Sequence, residues 1–351
     1  VLADLPGLEC ASVKRSMGRY ESALATLPLP TAPDIWLDAT RPGAANVILL
    51  SDGVPIWGGM VTQRTRGLDD SLDLSLVTLE SYADRRLMGD VTYAGVGQNA
   101  MVEHWFDAFV TDGPLGGIPF RVAYATPGDG PPRDREYRRA DRKTVYSALT
   151  ELAAVIGGPE WTVEWEHQVS PERYTPVLYV GDRIGRAVSA GMAPSATFQT
   201  PGSAVDAALV EDYSAGKGAN SVIAYSSATA GDVPASPAQV ATDDGRPTFE
   251  VDLQPSTSIT DIGTLTSHAQ AALATLSTGG ASLALSAAVE GAPLLGVDWV
   301  LGDDVGYQIG DPSHEIPAFP GGFSGVMRCI GWELTLDGVQ VVTPILATTG
   351  G

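Results

Sequence analysis

Short apolar segments separated by turn residues dominate this sequence, and they restrict the folds that it can adopt. The clearest pair spans residues 46–50 and 54–57, which Ser51, Asp52 and Gly53 connect. An Asp-Gly pair supplies the positive φ that a tight hairpin turn needs, and the flanking residues favour β-structure. The 40 glycines and 25 prolines have no collagen-like period, so they mark many turns between many short strands.

The β-pattern continues beyond this first hairpin. Gly58 and Gly59 interrupt its second arm, which predicts a bulge or bend of the kind found where a sheet curls. The leucines of residues 71–79 alternate with polar residues, as in a strand with one solvated face. We therefore predict a meander that closes into a small β-barrel over residues 1–95. The 351 residues of the chain exceed what one core usually serves, so two or three packed units are expected.

The middle of the chain has helical periodicity. Asn99 is a candidate N-cap for a helix over residues 100–110, and Asp141 is a candidate N-cap for a second helix that ends at a Gly-Gly pair. Residues 160–166 then alternate between apolar and polar side chains, which is typical of a strand. These elements predict an α+β domain over residues 96–189.

The last part of the chain returns to β-type segments. Asp261, with Ser258 at capping-box spacing, precedes a predicted helix over residues 263–276. Alternating strands follow, and an Asp-Gly turn at Asp337 joins the last two. We predict a helix-strand pair and a second β-barrel domain over residues 231–351. The predicted fold class is mainly β with an α+β insert, in which two small β-barrel domains flank the α+β domain.

The charge balance restricts the possible partners. The chain has 21 Lys and Arg against 42 Asp and Glu, a net charge of −21, so its surface should repel phosphate backbones. No apolar run approaches the ~20 residues that a membrane helix needs, and Val1–Leu8 lacks the layout of a signal peptide. We expect a soluble protein that is intracellular when it is made, with no membrane span. Cys10 and Cys329 fit no metal spacing and are expected to be buried free thiols.

No constellation of residues indicates catalysis. The four histidines have no second His or Cys at metal-binding spacing, and the Asp and Glu pairs fall in turns, where such residues are favoured for backbone reasons. The Gly-x-Ser-x-Gly, Walker and Rossmann motifs are absent. We predict no catalytic residue, no cofactor and no metal site. The histidines are His104, His167, His268 and His314, and the acidic pairs begin at Asp69, Glu211, Asp243 and Asp303.

The tryptophans are the remaining candidates for a functional surface. Most occupy strand or helix positions that face a core, although such rings could also line a sugar-binding surface. Trp36, in the sequence Pro-Asp-Ile-Trp-Leu, is the least determined. Trp36 and Trp57 are our candidate residues for a subunit interface.

The hairpin patterns resemble a known family. Residues 47–61, with 74–79 and 81–86, resemble the opening barrel of minor tail proteins from siphophages of actinobacteria, which belong to the tail-tip or baseplate hub group. In that group an apolar strand, a Gly turn, an aromatic Gly-rich strand and a polar helix start follow one another. Three later segments are similar to the second barrel of the group: 220–225, 301–305 and 331–334.

The resemblance implies a structural virion protein made in the host cytoplasm. As a homotrimer with two barrels per chain, it would present six similar units between the tail tube and the distal spike or fibres. Its partners would be the tube or distal tail protein, the tape measure and the spike or fibre, with DNA passing only in transit. In hubs of this kind residues 190–230 can also complete the first barrel. The alternatives are a receptor- or carbohydrate-binding tail module and a tail-associated cell-wall hydrolase that uses the acidic pairs.

Overall fold

The computed structural model describes residues 1–155, 157–226, 233–241, 245–255, 259 and 261–347. Across these residues the protein is mainly β, with curled half-barrel sheets and a minor helical part, so the predicted fold class is confirmed. The chain forms two compact units, one built from residues 1–206 and 285–345 and the other from residues 207–284 with the end of the chain. No helix in the described ranges is long and apolar enough to cross a membrane.

The strands and helices follow one another along the chain as short elements. The strands are β1 Glu9–Cys10, β2 Ser12–Ser16, β3 Ser22–Pro28, β4 Asn46–Ser51, β5 Val54–Arg66, β6 Ser71–Thr78, β7 Val91–Gly97, β8 Arg121–Tyr124, β9 Pro132–Tyr137, β10 Glu160–Val169, β11 Glu172–Gly181, β12 Thr197–Thr200, β13 Ala204–Asp212, β14 Ser221–Ala224, β15 Gln239–Val240, β16 Glu250–Leu253, β17 Gly280–Ala288, β18 Asp304–Ile309, β19 Phe323–Thr335 and β20 Val341–Ala347. The α-helices are α1 Trp36–Ala39, α2 Glu80–Ala83, α3 Gln98–Trp105, α4 Val145–Ala153 and α5 Ile262–Leu276.

The first sheet is built from the N-terminal residues alone. Its strand order is β1-β3-β6-β5-β4, and the predicted hairpin of residues 46–57 forms β4 and β5. The register shifts lie between Leu49 and Leu50 and between Val61 and Gln63, and not at the predicted glycines. Gly58 is required by close packing and not by a bulge, because a Cβ at this position would overlap the indole of Trp165.

The second sheet collects strands from distant parts of the chain. Its order is β12-β18-β19-β20-β17-β13, and β2 also pairs with β19. The 13-residue strand β19 is long enough to pair with both β18 and β2: residues 323–328 pair with β18, and residues 331–335 pair with β2. Strand β2 thus leaves the first sheet, and β12 and β13, from the segment 190–230, join the second sheet. The predicted domain divisions at residues 95, 189 and 231 stay a prediction.

The inserted α+β part has its own apolar core. The β10–β11 hairpin and the parallel strand β8 form a three-stranded sheet, and β7 pairs with β9. Trp105, Phe106, Leu149 and Trp161 are fully buried where α3 and α4 pack against these strands. A π-helical segment, Phe106–Thr111, continues α3.

Two of the predicted helix caps in this part are wrong. Helix α3 begins at Gln98 after Gly97, and the Asn99 side chain donates from Nδ2 to the carbonyl of Gly128 at 3.0 Å. Helix α4 begins only at Val145, where Thr144 Oγ1 accepts from the Ser147 amide at 3.1 Å. Asp141 lies in the preceding 3₁₀ turn. Thr144 satisfies an amide that the first helical turn leaves unpaired, which is the function of an N-cap.

The second unit packs one helix on a small sheet. Strand β14 lies between β15 and β16, and α5 buries Leu265 and Ala269 in a core with Val222 and Ala224. Asp261 of the predicted capping box is the N-cap of α5, because its carboxylate accepts from the Thr264 amide at 2.6 Å. Ser258, which was predicted to share this capping role, lies outside the described residues.

Candidate functional site

Two buried arginines connect strand β10 to other strands of the first unit. Arg15 on β2 is 3% exposed, and its Nη2 lies 3.1 Å from Oε1 of Glu80, which is 1% exposed. The same Nη2 donates to Thr162 Oγ1 at 2.7 Å and to the Val163 carbonyl on β10. Oε1 of Glu80 also accepts from the Val163 amide at 3.1 Å. A buried charge pair of this kind is stable only when further hydrogen bonds satisfy both partners.

The carboxylate of Glu164 completes this cluster from β10. Its Oε1 lies 3.5 Å from Nη2 of Arg15, and its side chain is 36% exposed. Burial raises the pKa of Glu164, although the nearby Arg15 charge acts in the opposite direction.

The second arginine, Arg328 on β19, joins the other end of β10. It makes a bidentate ion pair with Glu160 and donates to the carbonyls of Gly302 and Ile184 at 3.2 and 2.8 Å. A planar guanidinium suits such a site because it offers several donors in a fixed geometry. The two arginines thus connect β10 to the neighbouring strands β2 and β19.

The acidic pair Asp303-Asp304 has a structural role that the sequence did not indicate. Asp303 is fully buried, and its carboxylate accepts from the backbone amide and the guanidinium of Arg186 at 2.6 Å each. Asp304 pairs with Arg183 at 2.5 Å and accepts from the Val188 amide at 2.8 Å. These bonds fasten the segment after β11 to the start of β18. A turn position alone therefore does not explain this pair.

A cleft of about 1150 Å³ in the first unit runs along the edges of the first sheet. Glu9 and Cys10 of β1 and residues 46–50 of β4 line it. Because β1 and β4 are the first and last strands of that sheet, the sheet curls until both of its edges face one cleft. We call this cleft the seam. Its floor includes the buried side chains of Val13 and Leu76.

The rim of the seam is acidic. Four exposed carboxylates line it, and Arg173 is the one basic side chain in its lining. The carboxylates belong to Asp4, Glu9, Glu172 and Asp337.

Trp57, one of the two predicted interface residues, belongs to the floor of the seam. Its side chain is 2% exposed, and its Nε1 donates to the Lys14 carbonyl at 3.0 Å. The ring can meet another molecule only if that molecule enters the seam. Its role in an interface stays a prediction.

Trp36, the other predicted interface residue, lies on an apolar surface turn. It is half-buried, and the Arg64 guanidinium stacks on its ring with a centroid distance of 5.7 Å. Arg64 also donates to the Leu37 carbonyl at 2.6 Å, which fixes the turn. Ile35 and Leu37 beside it are 45% and 46% exposed. We call these three apolar residues, 35–37, the Trp36 patch. Its interface role is likewise untested.

Five of the seven tryptophans are buried and cannot line a sugar-binding surface. The prediction that most of them pack in a core is confirmed, since the buried tryptophans are Trp57, Trp105, Trp161, Trp299 and Trp332. Stacking on a sugar ring needs an accessible aromatic face, and these five rings offer none.

The histidines occupy separate environments in the described ranges. Nδ1 of His104 lies 2.6 Å from the hydroxyl of Tyr93, and His167 stacks on Tyr174 at 4.5 Å between ring centroids. Asp311, Ser313 and His314 are neighbours, but both Ser313 Oγ and the Asp311 carboxylate approach the same His314 nitrogen, Nδ1. A catalytic triad needs them on opposite ring nitrogens.

The Asp311 carboxylate also accepts from the Ser313 and His314 amides, which is the pattern of a local turn. The hydrogen bonds from Ser313 lower the pKa of the Asp311 carboxyl. Within the described residues there is no group of three or more His, Cys, Asp or Glu that could hold a metal ion.

The two cysteines are free thiols, as predicted, but only one is fully buried. Burial raises the pKa of Cys329 to about 12. Cys10 is half-buried and lines the seam, and burial raises its pKa as well.

The architecture matches those of solved tail proteins. A tail protein of Neisseria meningitidis MC58 has a TM-score of 0.60 and 14% identity, covering 97% of this chain and 91% of that chain. The 43 kDa tail protein of prophage MuSo2 from Shewanella oneidensis has a TM-score of 0.60 and 11% identity, with 97% of both chains covered. Prophage tail protein gp18 of Listeria monocytogenes EGD-e has a TM-score of 0.54 and 9% identity, covering 97% of this chain and 88% of that chain.

The chain has a tail-protein fold. No protein-family model and no curated protein sequence matches it. The tail-protein fold covers nearly the whole chain, so both larger sheets and the inserted α+β part belong to it. The narrower resemblance to hubs of actinobacterial siphophages stays a prediction.

Proposed function

We propose that this chain is a structural protein of a phage tail tip, a baseplate hub that forms a homotrimeric ring around the DNA exit channel. The observation that carries the proposal is the tail-protein fold, which extends over 97% of the chain in each of the solved tail proteins compared. Fold alone does not assign function, but here it agrees with the absence of any catalytic motif in the sequence. No residue is assigned a catalytic role.

The ring would join the tail tube to the distal spike or fibres. Its neighbours would be the tube or distal tail protein, the tape measure and the spike or fibre, and its location would be the virion. DNA would pass through without binding, because the net charge of −21 disfavours contact with phosphates. A trimer with two curled sheets per chain would present six similar units to the tube above it.

The Trp36 patch is the surface that we propose for the contact between subunits. Exposed neighbouring apolar side chains on a soluble chain commonly mark an interface, and tryptophan is enriched among the residues that dominate binding energy. The Arg64 bonds hold the turn in one conformation. A fixed turn loses little conformational entropy on association.

The oligomeric state tests both parts of the proposal. We expect native mass spectrometry of the purified chain to show a trimer and negative-stain images to show a ring. Trp36→Ala should shift the protein towards monomers with an unchanged circular dichroism spectrum, whereas Leu115→Ala, at a fully exposed leucine, should leave the trimer intact. A wild-type chain that stays monomeric at high concentration would contradict the ring. A trimer that Trp36→Ala does not weaken would contradict the interface.

A further inference from the structure

Strand β4 is an edge strand without the usual protection. It pairs with β5 alone among the described strands, and its six residues include no proline and no charged side chain. Edge strands commonly carry such residues because free N–H and C=O groups otherwise recruit another strand. The opposite edge, β1, is only two residues long. The seam therefore exposes one long strand edge that can accept a partner.

The seam also offers apolar contacts to such a partner. Leu50 of β4 and Leu24 of β3 line it and are 43% and 74% exposed. Deeper in the seam lie Val13, Trp57 and Leu76. An added strand places alternate side chains on one face, and these residues would receive them.

The acidic rim restricts the chemistry of the occupant. The rim carries the carboxylates of Asp4, Glu9, Glu172 and Asp337 against the single guanidinium of Arg173. Complementary charge favours the correct partner and disfavours others. A segment with acidic flanks fits poorly, because its carboxylates would lie against those of the rim.

We propose that the seam binds an extended apolar segment of another protein, that basic residues flank this segment, and that it pairs with β4 as an added strand. About six residues would span β4, at ~3.3 Å per residue, with the basic residues reaching the rim. Main-chain bonds to β4 provide affinity, and the alternate side chains provide specificity. The inference uses the proposed function only in taking the partner to be another tail protein.

The probe is a fluorescently labelled peptide of alternating valine and threonine with two lysines at each end. Its control has glutamates in place of the lysines. Fluorescence anisotropy with the full chain should show that the lysine peptide binds roughly tenfold or more tightly than its control at low salt, and less tightly at high salt. Hydrogen exchange should show slower exchange of the amides of residues 46–51 when the lysine peptide is bound.

Matched variants place the binding in the seam. Leu50→Gln removes an apolar contact and should weaken binding roughly tenfold, whereas Leu68→Gln, at a fully exposed leucine outside the seam, should not. The double substitution Glu172→Gln and Asp337→Asn should reduce the preference for the lysine peptide. Glu315→Gln, at an exposed carboxylate outside the seam, should leave it unchanged. Circular dichroism of each variant confirms that it is folded.

Several results would overturn the inference. These are equal affinity for the two peptides, unchanged binding in Leu50→Gln, unchanged exchange at β4, or the absence of saturable binding. Self-association of the wild type that Leu50→Gln abolishes would assign the seam to a second copy instead. A chain that trimerises but does not bind the peptide contradicts this inference alone, and a monomer that binds it contradicts only the ring.

Discussion

Replacing Arg15 with methionine should strongly destabilise the first unit. The substitution leaves the carboxylate of Glu80, 1% exposed, without its partner at 3.1 Å and removes the hydrogen bonds to Thr162 and Val163. Breaking a buried ion pair from one side costs about 3–5 kcal/mol. All seven tryptophans lie within residues 1–206 and 285–345, so their fluorescence reports the unfolding of the first unit. Urea denaturation followed by tryptophan fluorescence therefore measures the loss.

A double-mutant cycle separates the unpaired charge from lost packing. Glu80→Gln in the Arg15→Met background removes the unpaired charge. The double variant should therefore lose less stability than the sum of the two single losses, by about 2 kcal/mol or more. Lys14→Met is the matched control on the same strand. Lys14 pairs with Glu333 on the surface, and loss of this bond should cost less than about 1 kcal/mol. Additive single effects, or an equally destabilised Lys14 variant, would refute the reasoning.

The same variant should change how stability depends on pH. Burial already holds the pKa of Glu164 above its ordinary 4.5, and loss of Arg15 removes the charge that opposes this shift. A carboxyl whose pKa is higher in the folded state binds more protons there, so stability rises as pH falls through that window. The destabilisation of Arg15→Met relative to wild type should therefore be smaller at pH 5 than at pH 7. Denaturation curves at both pH values measure it, and an unchanged difference would contradict this assignment.

Three further outcomes follow from local contacts. Thr144→Ala should lower the stability of the first unit by about 1 kcal/mol, whereas Asp141→Ala should have little effect; the reverse order in urea denaturation would restore Asp141 as the cap. Gly58→Ala should destabilise by about 1–3 kcal/mol, because its Cβ overlaps the Trp165 indole, and a neutral result in the same assay would mean that the ring can move. Cys329, whose pKa burial raises to about 12, should resist alkylation at pH 8 until urea unfolds the chain, and rapid labelling of the native protein, detected by mass spectrometry, would contradict its burial.

The correct and the incorrect sequence predictions differ in the range of the interactions involved. The turn at Asp52 and the cap at Asp261 were predictable because each depends on residues no more than three positions away in the sequence. The cap at Asp141 was predicted wrongly because Thr144, three residues later, has an equally suitable side chain. The cap at Asn99 was predicted wrongly because α3 begins after Gly97 and no side chain caps it. The burial of Val145 in the core fixes where α4 begins, and no local pattern contains that information.

The candidate site was less predictable than the fold. Trp36 was predicted as an interface residue from its sequence context, and this role stays a prediction. The seam was not predicted, since it exists only where β1 and β4 meet across the curled sheet. The pairs Arg15–Glu80 and Arg328–Glu160 were also missed. Charged residues in strands usually indicate a solvated face, and only a partner brought close by folding makes their burial favourable.

The amino-acid sequence by itself determined that the chain is mainly β, where its tight turns lie and that most tryptophans form a core. Turn conformation and side-chain alternation are encoded by neighbouring residues, which explains why they can be read directly. Only the tertiary structure decided that β2 pairs with β19, that two arginines hold β10, and that the first sheet stays open at the seam. Each of these depends on which distant segments meet, because the apolar pattern of a strand specifies its buried face but not its partner.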